Sequence, residues 1–253
     1  MIEEGVLEGV DAISGLHVAL MTGILAGMGF NISSGDAFTY RRRTEKPGLR
    51  GLHRGRTQSR RKKDALSRRR IVNHFSGSWT REFQFKEWAA ELEKRICSVF
   101  ALLEKQDIPS VERARHQVNE MVARELDHFQ PDLSPALSPV LIEVDNEIGE
   151  CTRLRIVSED TPAFLYSLTQ AFSLHGIAIE HIQIRTHKGQ ISDEIDVVDA
   201  NSRKIEDPEA LSRIKLPVLL TKQFTYFLGQ APDRYSALIR FKHLVQDVLD
   251  LPA

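Results

Sequence analysis

The sequence predicts an α+β fold made from two copies of one β-α-β-β-α unit, and three observations carry this. Residues 16–32 (LHVALMTGILAGMGFNI) and 163–179 (AFLYSLTQAFSLHGIAI) align without a gap, so that Gly29 falls on Gly176, Ile32 on Ile179 and Thr39 on Thr186. An internal repeat constrains architecture more strongly than any single residue does. Helix-period and strand-period segments follow one another in the same order in both halves. Residues 130–139, with three prolines and two serines, read as a linker between the copies.

In the first copy, Val6–Val10 is a weak leading strand, interrupted by Glu8 and Gly9. A helix is expected from about Leu16 to Met28, with Gly29 at its C′ position. Phe30–Tyr40 reads as a strand. Ile71–Phe75 reads as a further one, closed by Ser76-Gly77-Ser78. From Phe85 to Glu104 the spacing of Trp88, Leu92, Ile96, Val99 and Leu103 is helical, and a second helix starting at Pro109 carries Val111, Val118, Val122 and Leu126. In the second copy Val140–Val144 is a short leading strand, and Thr152–Val157 alternates as a half-buried strand does. Asp160-Thr161-Pro162 is the turn into the helix, with Asp160 or Thr161 as N-cap. After Gly176, a strand through Ile177, Ile179, Ile182 and Ile184 requires a bulge near Glu180-His181. Lys188-Gly189-Gln190 turns it into a third strand, Ile191–Val198. Helical material opens at Asp207-Pro208, and a last helix runs from about Asp233 to Leu249. The expected organisation is a first unit over 1–129, with a helical hairpin at 85–129, then the linker 130–139, a second unit over 140–206 and C-terminal helices over 207–253.

The net charge of −1 conceals an uneven distribution: residues 41–70 hold fourteen Lys/Arg against Glu45 and Asp64. Such a block serves nucleic acid, an anionic surface or an acidic partner, or it is a solvated loop grown from a β-hairpin. No Phe, Tyr or Trp interrupts it, so the stacking platform of a single-strand binder is missing and the solvated loop is the leading expectation. Residues 13–32 carry no formal charge, which is long enough to suggest a membrane span. Four glycines, Ser14, His17, Thr22, Asn31 and an acidic N-terminus argue instead for a cytoplasmic protein without a membrane role. Cys97 and Cys151 have neither metal-ligand spacing nor a disulfide framework and read as reduced thiols.

Chemistry-bearing motifs are sparse. The histidines form no ligand pattern, His181 and His187 read as exposed, and neither Ser14-Gly15 nor Ser76-Gly77-Ser78 makes a nucleophile elbow. Gly23-x-x-x-Gly27 lies inside a helix, where it allows close packing on the sheet and offers no phosphate cradle. Asp193, Asp196 and Asp199 alternate faces on a strand, the outer two opposite Asp196, and read as solvated charges, with no metal site. No catalytic residue, cofactor or metal is expected, and catalysis by this chain alone is not.

The second copy resembles an ACT domain in Asp160-Thr161-Pro162, Leu165-Tyr166-Ser167-Leu168-Thr169, Gly176-Ile177 and Thr186, with Val140–Glu147 similar to that family's lead-in. It is most similar to the last ACT domains of PII-protein uridylyltransferases. The first copy is similar through Gly23–Ile32. Lys222-Gln223-Phe224-Thr225 and Ala231-Pro232-Asp233 resemble the segment that joins tandem ACT domains to a glutamine-synthetase adenylyltransferase body. The resemblance implies two ferredoxin-like units with additional helices, pairing with a partner enzyme or with further copies. It also implies a regulatory role in nitrogen metabolism through binding an amino acid such as glutamine. The family's ligand lies where the first strand turns into the first helix, which maps to Asp160, Thr161, Pro162, Ala163 and Phe164 in the second copy. In the first copy it maps to Asp11, Ser14 and Gly15. Helix N-terminal amides attract the ligand carboxylate and an acid takes the ammonium. Ala163-Phe164 stand where the family usually has Gly-Leu. Two other readings remain at this level: a detached front portion of such a nucleotidyltransferase, whose Gly-Ser and paired aspartates are missing here, and nucleic-acid binding through residues 41–70.

Overall fold

The computed structural model describes residues 10–41, 69–80, 82, 84–103, 107–127, 140–147, 149–161, 163–212, 214–216, 218–219 and 231–250. Its elements are α1 (Val10–Ala26), β1 (Phe30–Arg41), β2 (Arg69–Trp79), α2 (Phe85–Leu103), α3 (Ile108–Asp127), β3 (Leu141–Asp145), β4 (Thr152–Glu159), α4 (Phe164–Leu174), β5 (Ala178–His187), β6 (Gln190–Val198) and α5 (Arg234–Asp250). The strands form one six-stranded sheet in the order β2-β1-β5-β6-β4-β3, antiparallel at every pairing. This is a mixed α+β architecture, as the alternation of periods predicts. The basic block (beyond Arg41 and before Arg69), the leading strand at Val6 and the linker 130–139 lie outside the described residues, while Arg41 does pair with Arg69.

β6 lies between β4 and β5, so the crossover through α4 is a split β-α-β unit. Alternation along β4 turns Thr152, Leu154, Ile156 and Ser158 to the covered face. There Leu154 and Ile156 join Ile182, Ile184, Ile191 and Ile195 of β5 and β6, Val18 of α1, and Phe164, Leu168 and Phe172 of α4 in one core cluster. A second cluster lies on the far side of the same two helices, where Leu20 and Ile24 of α1 and Tyr166 of α4 meet Val99 of α2, Val118 and Val122 of α3, and Phe241 of α5. α1 and α4 are thus a buried middle layer, which is why α1 is apolar all round. The uncharged stretch that imitates a membrane span divides into the end of a helix with protein on both sides, a turn and the start of β1. Among the described residues no helix is long and apolar enough to cross a membrane.

The two copies meet at a local twofold axis. Thr22 and Thr169, matched by the repeat and 147 residues apart, bring their hydroxyls within 3.2 Å where α1 crosses α4. Asp36 and Gln183, the same 147 apart, pair across β1 and β5, and the Gln183 amide donates to Asp36 Oδ1 at 3.4 Å. Equivalent residues touching each other is what a twofold relation between repeat units produces. Gly29 and Gly176 both take positive φ after their helices, at 78° and 67°.

Several expectations are corrected. α1 begins at Val10, so Asp11, Ser14 and Gly15 lie within a helix and make no strand-to-helix turn. β2 extends through Ser76-Gly77-Ser78, which pair with Ser34, Ile32 and Asn31 next to a register shift. The Gly23/Gly27 stripe faces helices: a Cβ on Gly23 would lie 2.3 Å from Val118 Cγ1 and 2.6 Å from the Tyr166 ring, and one on Gly27 would lie 2.7 Å from Met121 Cβ. The bulge at Ile179/His181 occurs as expected, and Lys188 and Gly189 take φ of 50° and 76°, the positive values a primed two-residue hairpin turn requires.

His17 packs edge-on to Phe100, with ring centroids 4.8 Å apart, and desolvation lowers its pKa from the usual 6.5. The unfolded chain therefore binds the proton more readily, and stability is lost as pH falls below about 6.5. We expect denaturant midpoints to decline between pH 7 and pH 5, and His17→Phe to remove part of that decline.

Candidate functional site

A cavity of about 500 Å³ opens between the two copies. The second copy contributes the β4–α4 turn and the first turn of α4: Asp160, Thr161, Ala163, Phe164, Leu165 and Tyr166. The first copy contributes Thr22 and Ala26 from α1 and the segment from Gly29 to Ile32 at the start of β1. Ile184, Thr186, Ile191 and Asp193 form its floor on the sheet, and Val122, Glu125 and Leu126 of α3 close it from the helical layer.

The expected turn residues Asp160, Thr161, Ala163 and Phe164 are thus brought together on one wall. Pro162 lies outside the described residues. Asp11, Ser14 and Gly15 have helical backbone within α1, and their side chains lie outside the described part of the structure. Neither Asp160 nor Thr161 is the N-cap. That position is Ala163, at φ 53° and ψ 26°, and no side chain caps α4. The turn is tied down from outside the helix, where the Asp160 N–H donates to Gly189 O at 2.8 Å in the β5–β6 hairpin. A non-glycine residue in the left-handed region costs about 1–2 kcal/mol. Glycine there regains most of this and loses about 0.5–1 kcal/mol to its freer unfolded chain. Ala163→Gly is therefore expected to raise stability by about 0.5 kcal/mol, measured by urea denaturation, despite removing a methyl group.

The buried chemistry of the cavity, Asp193, Glu125 and Thr80 together with the phenol of Tyr166, escapes a reading of turns and motifs. Asp193 is 2% exposed and sits on the covered sheet face in line with Ile191 and Ile195, where its Oδ1 accepts the Arg185 N–H at 3.0 Å. The expectation that it is a solvated charge is wrong, and the alternation Ile191–Asp193–Ile195 is the signal that reveals it. Glu125, 8% exposed, is brought in by α3, outside the repeat, and accepts from the Thr80 hydroxyl at 2.7 Å. Thr80 in turn donates its N–H to Gly29 O at 2.9 Å, fixing the end of β2 against the end of α1. Tyr166 donates its hydroxyl to Asn119 of α3, and burial pushes its phenol pKa far above the ordinary range.

The open face of the sheet carries the remaining titratable cluster. Arg153 binds Asp196 through two nitrogens, at 2.7 and 3.0 Å, and this pairing raises the guanidinium pKa. His181 stacks on Phe38 and sits 3.6 Å from Asp196 and 3.7 Å from Asp36, so it is half-buried and not simply exposed. Asp199 binds the N–H groups of Asn201 and Arg203 at a turn. Among the described residues no group of three or more His, Cys, Asp or Glu is arranged to hold a metal ion. No protein-family model matches the chain, and no curated protein or solved structure matches it significantly.

Proposed function

We propose that the chain is a regulatory small-molecule sensor, a pair of ferredoxin-like ACT-type units that binds an amino acid in the cavity between them and acts on an enzyme of nitrogen metabolism. The observation that carries this is that the turn from Asp160 to Phe164 and the β1 start of the other copy line one cavity. The split β-α-β order of β4, α4, β5 and β6, and the twofold contact of Thr22 with Thr169, support the pairing of two related units. A ligand carboxylate at the uncapped start of α4 meets the positive end of the helix, and Asp160 supplies a partner for the ammonium. Thr22 lines the cavity and also makes the α1–α4 contact, so occupancy bears directly on how the two units pack. In the first copy the corresponding segment is helical.

Thermal-shift and calorimetric titration with each of the twenty amino acids tests the proposal. Binding at a hundred times Kd stabilises by about 2.7 kcal/mol, a readily measured rise in melting temperature. Asp160→Ala is expected to abolish the response. Absence of any response at millimolar concentration overturns the reading.

A further inference from the structure

We infer that the occupant of the cavity carries a large apolar side chain, of the aliphatic or aromatic class, where glutamine has its amide. The inference rests on the reading that this cavity binds an amino acid, and it adds the chemistry of the side chain.

The surface that the cavity presents is chiefly carbon. Ile184 and Ile191, on the adjacent strands β5 and β6, reach it from the covered face of the sheet. Ile32 of β1, Phe164 of α4, and Val122 and Leu126 of α3 meet them from three further elements. These six side chains come from both core clusters. Ile32, Phe164, Ile184 and Ile191 belong to the sheet-side cluster or pack against it, and Val122 and Leu126 belong to the cluster on the far side of α1 and α4. The cavity therefore borders both cores at once. An apolar side chain placed there leaves water and gains dispersion contacts with each of them.

The hydroxyl donors of the same wall are committed to the protein itself. Thr22 donates to Val18 O at 2.9 Å, Thr80 to Glu125 Oε1 at 2.7 Å, and Tyr166 to Asn119 Oδ1. A glutamine side-chain carbonyl set among these three meets no donor without breaking a bond already made. Burying such a group without its hydrogen bonds is costly, whereas a hydrocarbon of the same length has none to lose. The volume, about 500 Å³, lies within the ordinary range of small-molecule sites and leaves room for a long or branched side chain.

The test titrates the full chain by calorimetry with L-alanine, L-norvaline, L-norleucine, L-glutamine and hexanoate. Affinity is expected to climb about fourfold for each methylene added from alanine to norleucine. Glutamine, similar in length to norleucine, is expected to bind at least about tenfold more weakly. Two variants tie the effect to this wall. Ile32→Thr sets a hydroxyl into it at nearly constant shape, and Ala26→Leu fills part of the space beside it. Each is expected to lower norleucine affinity about tenfold, with far-UV circular dichroism unchanged. A flat series from alanine to norleucine, or glutamine binding as tightly as norleucine, overturns the inference and leaves the amino-acid reading standing. Norleucine affinity untouched in both variants overturns the inference and also moves the ligand out of this cavity. Binding of hexanoate but of no amino acid supports the apolar inference and overturns the amino-acid reading. Binding of none of the five overturns the inference, and the screen of all twenty amino acids then decides the reading by itself.

Discussion

Gly27→Val is expected to destabilise the protein by about 3 kcal/mol, seen as a fall in melting temperature of about 6–12 °C. The position is the first residue after α1, facing α3, and a Cβ there would come within 2.7 Å of Met121 Cβ, 2.8 Å of the Met121 carbonyl carbon and 2.9 Å of the Val122 nitrogen. Two of those three atoms are backbone, so no rotamer change relieves the clash, and the helices must separate. Separation opens the cluster of Leu20, Ile24, Val118 and Val122 and also shifts Glu125, one turn further along α3. Glycine is normally a poor helix residue, and replacing it in an exposed helix raises stability by up to about 1 kcal/mol. The sign of the change therefore discriminates: a stabilised Gly27→Val would mean that α1 does not pack against α3. Gly27→Ala, smaller and a better helix former, is expected to show the same direction with a reduced size.

The repeat was legible because glycine after a helix and isoleucine within a strand have local causes, and both copies keep them. Gly29 and Gly176 take the positive φ that ends a helix, and the bulge near His181 follows from the spacing of Ile179 and Ile182. The turn at Asp160 was legible for the same reason, since its residues are contiguous. The rest of the cavity was not, because its parts are brought together only by tertiary packing. Glu125 lies on an amphipathic helix whose polar positions look alike until α3 is seen to end at the cavity. Thr80 follows a strand that runs through Ser76-Gly77-Ser78, which has the composition of a turn but pairs with β1. The bounds of α1 are hard to read in the sequence because a helix with protein on both sides lacks the polar stripe that normally marks its faces. Ala163 shows the reverse: alanine carries no turn signal in the sequence, yet in the fold it takes the left-handed conformation usual for glycine.

Phe172→Ala is expected to cost about 3–5 kcal/mol, and the loss is expected in both halves of the molecule at once. Phe172 is fully buried on α4, in a cluster that joins Leu154, Ile182 and Ile195 of the second copy to Val18 and Ala37 of the first. The sheet is continuous across the same boundary, with β1 paired to β5 from Ser34–Arg185 to Phe38–His181. Neither copy therefore closes a core without the other, although a Pro-rich linker alone would suggest two units melting separately. The chain contains a reporter for this. Its two tryptophans, Trp79 and Trp88, both belong to the first copy, where they pack against each other with ring centroids 4.4 Å apart. Phe172 lies in the second. If the halves unfold as one cooperative body, the alanine variant lowers the midpoint of tryptophan fluorescence by the same roughly 10 °C as the midpoint of far-UV circular dichroism. A fluorescence midpoint that stays in place while the dichroism midpoint falls would show that the copies are energetically independent. It would also remove the basis for coupling through Thr22 and Thr169, because a ligand held between independent bodies has no shared packing to shift.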